Sequence, residues 1–166
     1  LAFGTVNKIF IEFPYKFWSS DEWTGFTLLW RNEDLSEIRD TSRAWLEDVF
    51  GFYRVSYQPN MLCGWIFGEK GRHMESLPVN EIKDGCMYLL RKFLKWSVPE
   101  PSNFKASTWF SSENFKGSYS FRSMFTEEIG TGAKELSQPL TVVKSISDED
   151  DINFNTMLFT QSKYDK

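Results

Sequence analysis

One lysine lies where a lysine is unexpected, in the stretch GTVNKIFIEFPYKFW at residues 4–18. Alternation predicts a β-strand in which Lys8 shares one face with Val6 and Phe10 and isoleucines occupy the other face. Since lysines are rarely buried without a reason, two interpretations stand. Lys8 either lies on an edge or solvated face of a sheet, which these residues alone favour, or has a functional reason for its place.

Other groups that could do chemistry are few. The sequence has one histidine, His73, so neither a histidine-based catalytic triad nor a zinc cluster is expected, and we predict no metal site. No GxGxxG, GxxxxGK or CxxC motif occurs. GTGAK at Gly130–Lys134 lacks the first glycine and the following Ser or Thr of a phosphate loop, which favours a structural loop. SDEDD at Ser147–Asp151 indicates an acidic surface loop, which we place at residues 141–155.

The composition indicates a single folded domain over residues 1–166. Aromatic residues make up 17% of the chain and hydrophobic residues 41%, which predicts a packed core or an aromatic-lined site. The net charge of −4 disfavours a nucleic-acid-binding protein and suits a cationic ligand. Cys63 and Cys86 form no disulfide framework, so a reducing compartment is expected. No segment has the length and apolarity of a membrane span, and no signal peptide is visible.

The periodicity of the chain predicts an α+β fold, in which helices pack on one face of a mixed β-sheet, with a purely antiparallel sheet as the alternative. Strands are predicted at Thr5–Phe13, Gly25–Trp30, Phe52–Tyr57, Met61–Phe67, Phe104–Phe110 and Asn155–Thr160. Helices are predicted at Thr41–Phe50, Pro78–Trp96 and, more weakly, Thr126–Leu136. The helix at Pro78–Trp96 is the best defined, because its apolar residues recur at helical spacing.

Four stretches, in order along the chain, resemble segments of the flavin-dependent amine oxidases. They are FGTVNKIFIEFPYKFW from Phe3, LCGWIFGEKGRHMESL from Leu62, STWFSSENFKGSYSF from Ser107 and LSQPL from Leu136. Each motif is weak alone, but four in register are fairly specific. Lysine-specific histone demethylases and monoamine oxidases share parts of the pattern. GSYSF and FPYKFW favour the polyamine branch, which contains the spermine and N1-acetylpolyamine oxidases.

The resemblance implies the substrate-binding portion of an FAD-dependent enzyme that oxidises spermine, spermidine or their N1-acetyl forms and releases hydrogen peroxide. It implies that Lys8 is catalytic and contacts the cofactor, pointing at flavin N5 through a water. Trp109 would pack near the flavin ring, although it is equally well explained as a core aromatic on a strand. Tyr119 would form one wall of an aromatic cage for the cationic amine, and Thr5 and Val6 would line the same region.

The resemblance also implies parts that this sequence does not contain. The family holds FAD in a separate domain with a dinucleotide fingerprint and in a later G-E-x-T segment. After Met157–Phe159, Gln161 and Ser162 stand where the Gly-Glu pair would follow. We therefore expect FAD in the intact enzyme but no FAD binding by this chain alone.

Both ends of the sequence look cut, so a piece of a longer protein is expected. Its partners would be a polyamine substrate and the FAD-binding domain of the same protein, with no nucleic acid and no membrane. It would lie in the cytoplasm, with the peroxisome as the other intracellular location. The alternative function is a noncatalytic, diverged or truncated amine-oxidase-like interaction module.

Overall fold

A computed structural model describes residues 2–18, 20 and 22–130 of the chain. These residues fall into two compact units that divide between Phe121 and Arg122. The first unit contains β1 (Ala2–Gly4), β2 (Val6–Glu12), β3 (Gly25–Thr27), α1 (Asn32–Ser36), a 3₁₀ helix (Ala44–Asp48), β4 (Val49–Arg54), β5 (Met61–Phe67), α2 (Gly68–Met74), α3 (Val79–Phe93), β6 (Asn103–Ala106) and β7 (Tyr119–Phe121). The second contains α4 (Met124–Glu128). Helices and a sheet are both present, so the predicted α+β class is confirmed.

The main sheet of the first unit has five strands in the order β3-β4-β5-β2-β6. A separate two-stranded ribbon pairs β1 with β7. Every strand pairing in the described part of the chain is antiparallel, which is the alternative that the sequence left open beside a mixed sheet. The strand predicted at Asn155–Thr160 lies outside the described residues.

Strand β2 alternates between a fully buried face and a half-buried face, as its sequence predicts. Ile9 and Ile11 are completely buried and belong to the core, together with Cys86, Leu89 and Leu90 of α3. Helix α2 contacts the same strand and its neighbour β5. The helices therefore cover the isoleucine face of β2, and the face that carries Lys8 is the less buried one.

Several elements differ from the sequence prediction. The strand predicted at Gly25–Trp30 ends at Thr27, that at Phe52–Tyr57 spans Val49–Arg54, and that at Phe104–Phe110 ends at Ala106. The helix predicted at Thr41–Phe50 is a short 3₁₀ helix that ends at Asp48, because Val49 already pairs with Ile66 in the sheet. Helices α1 and α2 were not predicted; both are too short for a clear helical period. No helix within the described ranges has the length and apolarity needed to cross a membrane.

In the second unit, α4 begins at Met124, two residues before the predicted start at Thr126. Ser123 caps it, since its side chain accepts a hydrogen bond from the Thr126 amide. Such a cap is a usual helix start. Helix α4 ends at Glu128, and residues 131–136 of that predicted helix, most of GTGAK and the acidic loop at 141–155 lie outside the described residues.

Candidate functional site

Lys8 lies on an interior strand, because β5 borders β2 on one side and β6 on the other. Of the interpretation that Lys8 lies on an edge or a solvated face, the edge is therefore wrong, whereas the side chain does lie on the less buried face of the strand. Its ammonium Nζ lies 4.6 Å from the centroid of the Trp65 ring, and Trp65 is its direct cross-strand neighbour. The face of an aromatic ring attracts a cation. Lys8 is thus held at a defined place on the sheet, half-buried beside an indole ring.

Further aromatic rings extend this surface, which we call the half-exposed face and define as Lys8, Trp65, Phe67, Phe50 and Tyr53. A bulge in β4 releases Phe50 from regular pairing. Its ring centroid lies 5.7 Å from that of Phe67 and 6.2 Å from that of Tyr53. Phe50 is 48% exposed and Phe67 37%. Exposed aromatic groups beside a fixed ammonium suit contact with a flat or apolar group of another molecule or domain.

Thr5 and Val6 precede Lys8, but their side chains point in opposite directions. Val6 pairs with Phe67 and shares the half-exposed face. Thr5 is 3% exposed, and its Oγ1 accepts a hydrogen bond of 3.1 Å from Nε of Arg72 in α2. The structure therefore brings Val6 to the face of Lys8 and places the Thr5 hydroxyl on the helix-covered side.

Trp109 lies in a turn and not on a strand, since β6 ends at Ala106. Its side chain is 38% exposed, so the core-aromatic interpretation does not describe it. Its ring packs edge-on against Phe115, with centroids 5.0 Å apart. Phe115 stands where the resembling family has a tyrosine, and here it supports the indole ring.

Tyr119 begins β7 and is paired opposite Gly4 of β1. Its side chain is 57% exposed. Gly117, with φ of 158°, precedes it at a close approach, where an added Cβ would lie 2.9 Å from the Gly4 carbonyl oxygen and 2.4 Å from the Phe3 ring. Only glycine fits such a contact without displacement.

Two serines tie the segments that carry Trp109 and Tyr119 to the start of β2. Ser107 Oγ accepts a hydrogen bond of 2.8 Å from the Lys8 amide. Ser118 Oγ accepts one of 2.7 Å from the Val6 amide and donates one of 2.9 Å to the Val6 carbonyl. The backbone segments of all the predicted site residues therefore meet at the amino-terminal half of β2.

Sequence reasoning gave no role to Asn7, which the structure buries completely. Its Nδ2 donates to Glu75 Oε1 at 2.6 Å and to the Gly71 carbonyl at 3.1 Å. Its Oδ1 accepts from Ser107 Oγ at 3.0 Å and from the Trp109 amide at 3.3 Å. Alternation already placed Asn7 on the core face, where a polar side chain needs hydrogen-bond partners. A polar residue on the core face of β2 is therefore the sequence feature that could have identified Asn7.

Glu75 completes this polar cluster from the end of α2. Its carboxylate accepts hydrogen bonds from the backbone amides of Phe110 at 2.9 Å and Ser111 at 2.7 Å. Burial raises the pKa of Glu75, but the hydrogen bonds from Asn7, Phe110 and Ser111 outweigh burial and hold the pKa below its ordinary value. Glu75 is therefore an ionised acceptor at neutral pH.

The cysteines and the histidine are less suited to a catalytic role. Burial raises the pKa of the Cys63 thiol more than nearby Lys8 lowers it, and burial also raises that of Cys86. Both thiols are therefore weak nucleophiles. His73 is exposed on α2. Among the residues that the structure describes, no three His, Cys, Asp or Glu side chains gather as a metal site.

The chemistry of the half-exposed face suits one kind of ligand group better than another. Its rings suit a flat conjugated ring system, and the Lys8 amine can donate to a ring nitrogen or to a water held beside it. A pyrophosphate is usually held by a glycine-rich turn from a strand into a helix. In the described part of the chain, β5 passes directly into α2 through Gly68, without such a loop.

Comparisons with known proteins bear on the family of the chain. The family model described as flavin containing amine oxidoreductase matches residues 1–141. The peroxisomal N(1)-acetyl-spermine/spermidine oxidase of Bos taurus is 31% identical over 147 residues, and that of Homo sapiens 32%. Each alignment covers 84% of this chain and 28% of the relative. Lysine-specific histone demethylase 1B of Mus musculus is 25% identical over 75% of this chain and 14% of its own length.

Proposed function

The chain belongs to the flavin-containing amine oxidoreductase family, and we propose that it is the substrate-side portion of an FAD-dependent polyamine oxidase. The substrates would be spermine, spermidine or their N1-acetyl forms. The names of the two mammalian relatives, which contain acetylated spermine and spermidine, support this choice. The chain spans 28% of the length of those relatives, so the FAD-binding domain of the same protein is its proposed partner.

The observation that carries the proposal is the position of Lys8. Its ammonium rests on the Trp65 ring, 4.6 Å from the centroid, on an interior strand and on the face that the helices leave half-exposed. A lysine that only faces solvent needs neither an interior strand nor a fixed aromatic neighbour. A lysine that must present its amine at one place on a surface needs both.

In this proposal, FAD when bound accepts the electrons of the C–H bond beside the substrate amine and passes them to oxygen, giving hydrogen peroxide. The role of Lys8 is to hold and orient a water or a proton at its Nζ, close to where the amine reacts. That water is available for cleavage of the substrate imine. The cation–π contact with Trp65 restricts the Nζ to one region and so keeps the water in place.

The aromatic residues orient the substrate. Trp109 and Tyr119 present exposed faces, which attract a cationic amine and limit its approach by shape. Val6 adds an apolar wall beside Lys8. Thr5 contributes from the other side, by fixing Arg72, and we place Trp109 next to the flavin ring.

We also place the protein inside the cell, in the cytoplasm or the peroxisome. The two mammalian relatives are named as peroxisomal proteins. Imaging of the tagged intact protein beside a peroxisomal marker distinguishes the two compartments.

The test of function is a peroxide assay on the intact, FAD-loaded protein that contains this chain. Spermine, spermidine and N1-acetylspermine are compared with benzylamine, a monoamine control. We expect hydrogen peroxide with at least one polyamine and little with benzylamine. A protein that binds FAD and yields no peroxide from any amine would contradict the proposal and favour the noncatalytic interaction module.

A further inference from the structure

Three successive backbone amides, those of Trp109, Phe110 and Ser111, donate to two side chains from other elements. The Trp109 amide donates to Asn7 Oδ1 at 3.3 Å. The next two donate to the Glu75 carboxylate at 2.9 and 2.7 Å. The turn that carries Trp109 is therefore held by side chains from β2 and α2.

The two holding side chains are also bonded to each other, through Asn7 Nδ2 and Glu75 Oε1 at 2.6 Å. Asn7 is fully buried, so its position is fixed by the strand. It orients the carboxylate towards the turn. Hydrogen bonds to a charged acceptor are stronger than neutral ones, which makes Glu75 the stronger of the two anchors.

A second contact fixes the same turn from α2. The guanidinium carbon of Arg72 lies 4.5 Å from the centroid of the Phe110 ring. Arg72 is in turn bonded to Thr5 and Glu69. The end of α2 therefore holds both the backbone and one side chain of the turn.

We propose that Glu75 is a positioning residue for Trp109, acting with Asn7 to fix the turn at residues 107–111 beside the start of β2. The expected effect of Glu75 on turnover rests on the proposed function, whereas its role in fixing the turn does not. A carboxylate is required because both of its oxygens accept. A glutamine at this position has an NH2 group, which donates, in place of one carboxylate oxygen. One acceptor for the backbone amides of the turn would therefore be lost.

The first measurement is amide hydrogen exchange by NMR on the full chain, comparing wild type with Glu75→Gln. We expect exchange at Phe110 and Ser111 to rise at least about tenfold, because hydrogen bonds to a charged group are lost. The amides of Ile9 and Ile66 in the core strands should change less than about twofold. Glu81→Gln, an exposed glutamate on α3, is the matched control and should change none of these amides.

Unchanged exchange in the turn would overturn the proposal, and so would an equal rise at all amides, which reports global destabilisation. If Glu75→Gln does not fold, Glu75→Asp keeps the charge on a shorter side chain. Glu75→Asp should raise amide exchange in the turn by less than the roughly tenfold expected for Glu75→Gln. Exchange in the core strands should again not change.

The second measurement uses the intact FAD-loaded enzyme. Glu75→Gln should lower kcat by about tenfold with KM little changed, since alignment rather than affinity is lost, and Glu75→Asp should recover part of the loss. Faster exchange with wild-type turnover would overturn the positioning role and leave the proposed function standing. If the wild-type protein oxidises no amine, the proposed function fails, and the exchange result alone decides whether Glu75 holds the turn.

Discussion

The contact between Lys8 and Trp65 explains how a lysine is accommodated on an interior strand. On an interior strand, a lysine loses part of its hydration and needs a partner. The Trp65 ring provides it, and cation–π contacts of this kind contribute roughly 0.5–2 kcal/mol. That contact is compatible with a catalytic amine, because an ammonium has three donors and a contact with one ring does not use all of them.

Tyr119 should act through its ring and not through its hydroxyl. In the intact enzyme, Tyr119→Phe should be nearly silent, whereas Tyr119→Ala should lower kcat/KM by at least about tenfold, because an aromatic wall is lost and the amine is less well aligned. Steady-state kinetics and thermal melts on both variants make the comparison.

Tyr57→Ala, another exposed tyrosine, is the control and should leave kinetics unchanged. Since Tyr119 is 57% exposed, its alanine variant should melt close to wild type. An early melt with full activity in the folded fraction would contradict a site role.

At the scale of elements, sequence alone predicted the regular parts well. Met61–Phe67 is a strand with both ends correct, since its apolar run is bounded by turn residues. The helix at Pro78–Trp96 is confirmed as Val79–Phe93. Of the helix predicted at Thr41–Phe50, only Ala44–Asp48 is helical, as a 3₁₀ helix. It ends there because pairing of Val49 with β5 overrides local periodicity.

Gly85 shows how closely α3 packs on the 3₁₀ helix. An added Cβ would lie 2.8 Å from Cζ2 of Trp45 and 3.1 Å from Cδ2 of Leu46, both buried side chains. Alanine in a helix interior is normally favoured over glycine by about 0.5–1 kcal/mol, but overpacking costs about 1–3 kcal/mol. Gly85→Ala should therefore destabilise the chain by about 1–2 kcal/mol in urea unfolding. Asp84→Ala, exposed on the same helix, is the control, and equal or higher stability of Gly85→Ala would contradict this packing.

Asp34 links α1 to α3 and should make stability depend on acid. Its carboxylate is bonded to Arg31 Nε and Lys92 Nζ, each at 3.0 Å. The hydrogen bond from Arg31, and then that from Lys92, lowers the pKa of Asp34 from 3.8 to about 2. A lowered carboxyl pKa contributes stability above its unfolded value, and this contribution is lost as the pH falls through the folded value.

The Tm difference between wild type and Asp34→Asn should therefore be largest at neutral pH and shrink between about pH 4 and pH 2. Thermal melts across this range measure it. Glu33→Gln, on the same helix, is the control and should give no such trend. A Tm difference for Asp34→Asn that is constant with pH would show that the ion pairs do not stabilise the fold.

At the scale of the whole molecule, sequence motifs predicted candidate site residues but not the contacts that hold them. Lys8, Trp109 and Tyr119 were predicted through the family resemblance. The partners Trp65, Asn7 and Glu75 come from three different places in the chain, and only the register of β2 with β5 and the end of α2 brings them together. Such long-range contacts are not visible in local periodicity.

The proposed division of the FAD contacts between this chain and a separate FAD-binding domain leads to a prediction for the chain alone. Its described residues suit the ring end of FAD, whereas the pyrophosphate needs a helix amino terminus of the kind found in dinucleotide-binding domains. The purified chain should therefore not bind FAD below about 1 µM, a threshold of roughly −8 kcal/mol, in a fluorescence-quenching titration. Submicromolar binding would contradict the proposed division between two domains.

The most direct test of a catalytic role for Lys8 is its replacement by methionine in the intact, FAD-loaded enzyme. Lys8→Met keeps an unbranched apolar stem, with sulfur in place of the δ-methylene, and removes the amine. We expect bound FAD to be retained, by its absorbance, while turnover of a polyamine falls at least about tenfold, as for loss of a proton-handling group. Lys95→Met, an exposed lysine beyond α3, should leave turnover unchanged. Turnover of Lys8→Met within twofold of wild type would contradict the catalytic role of this lysine.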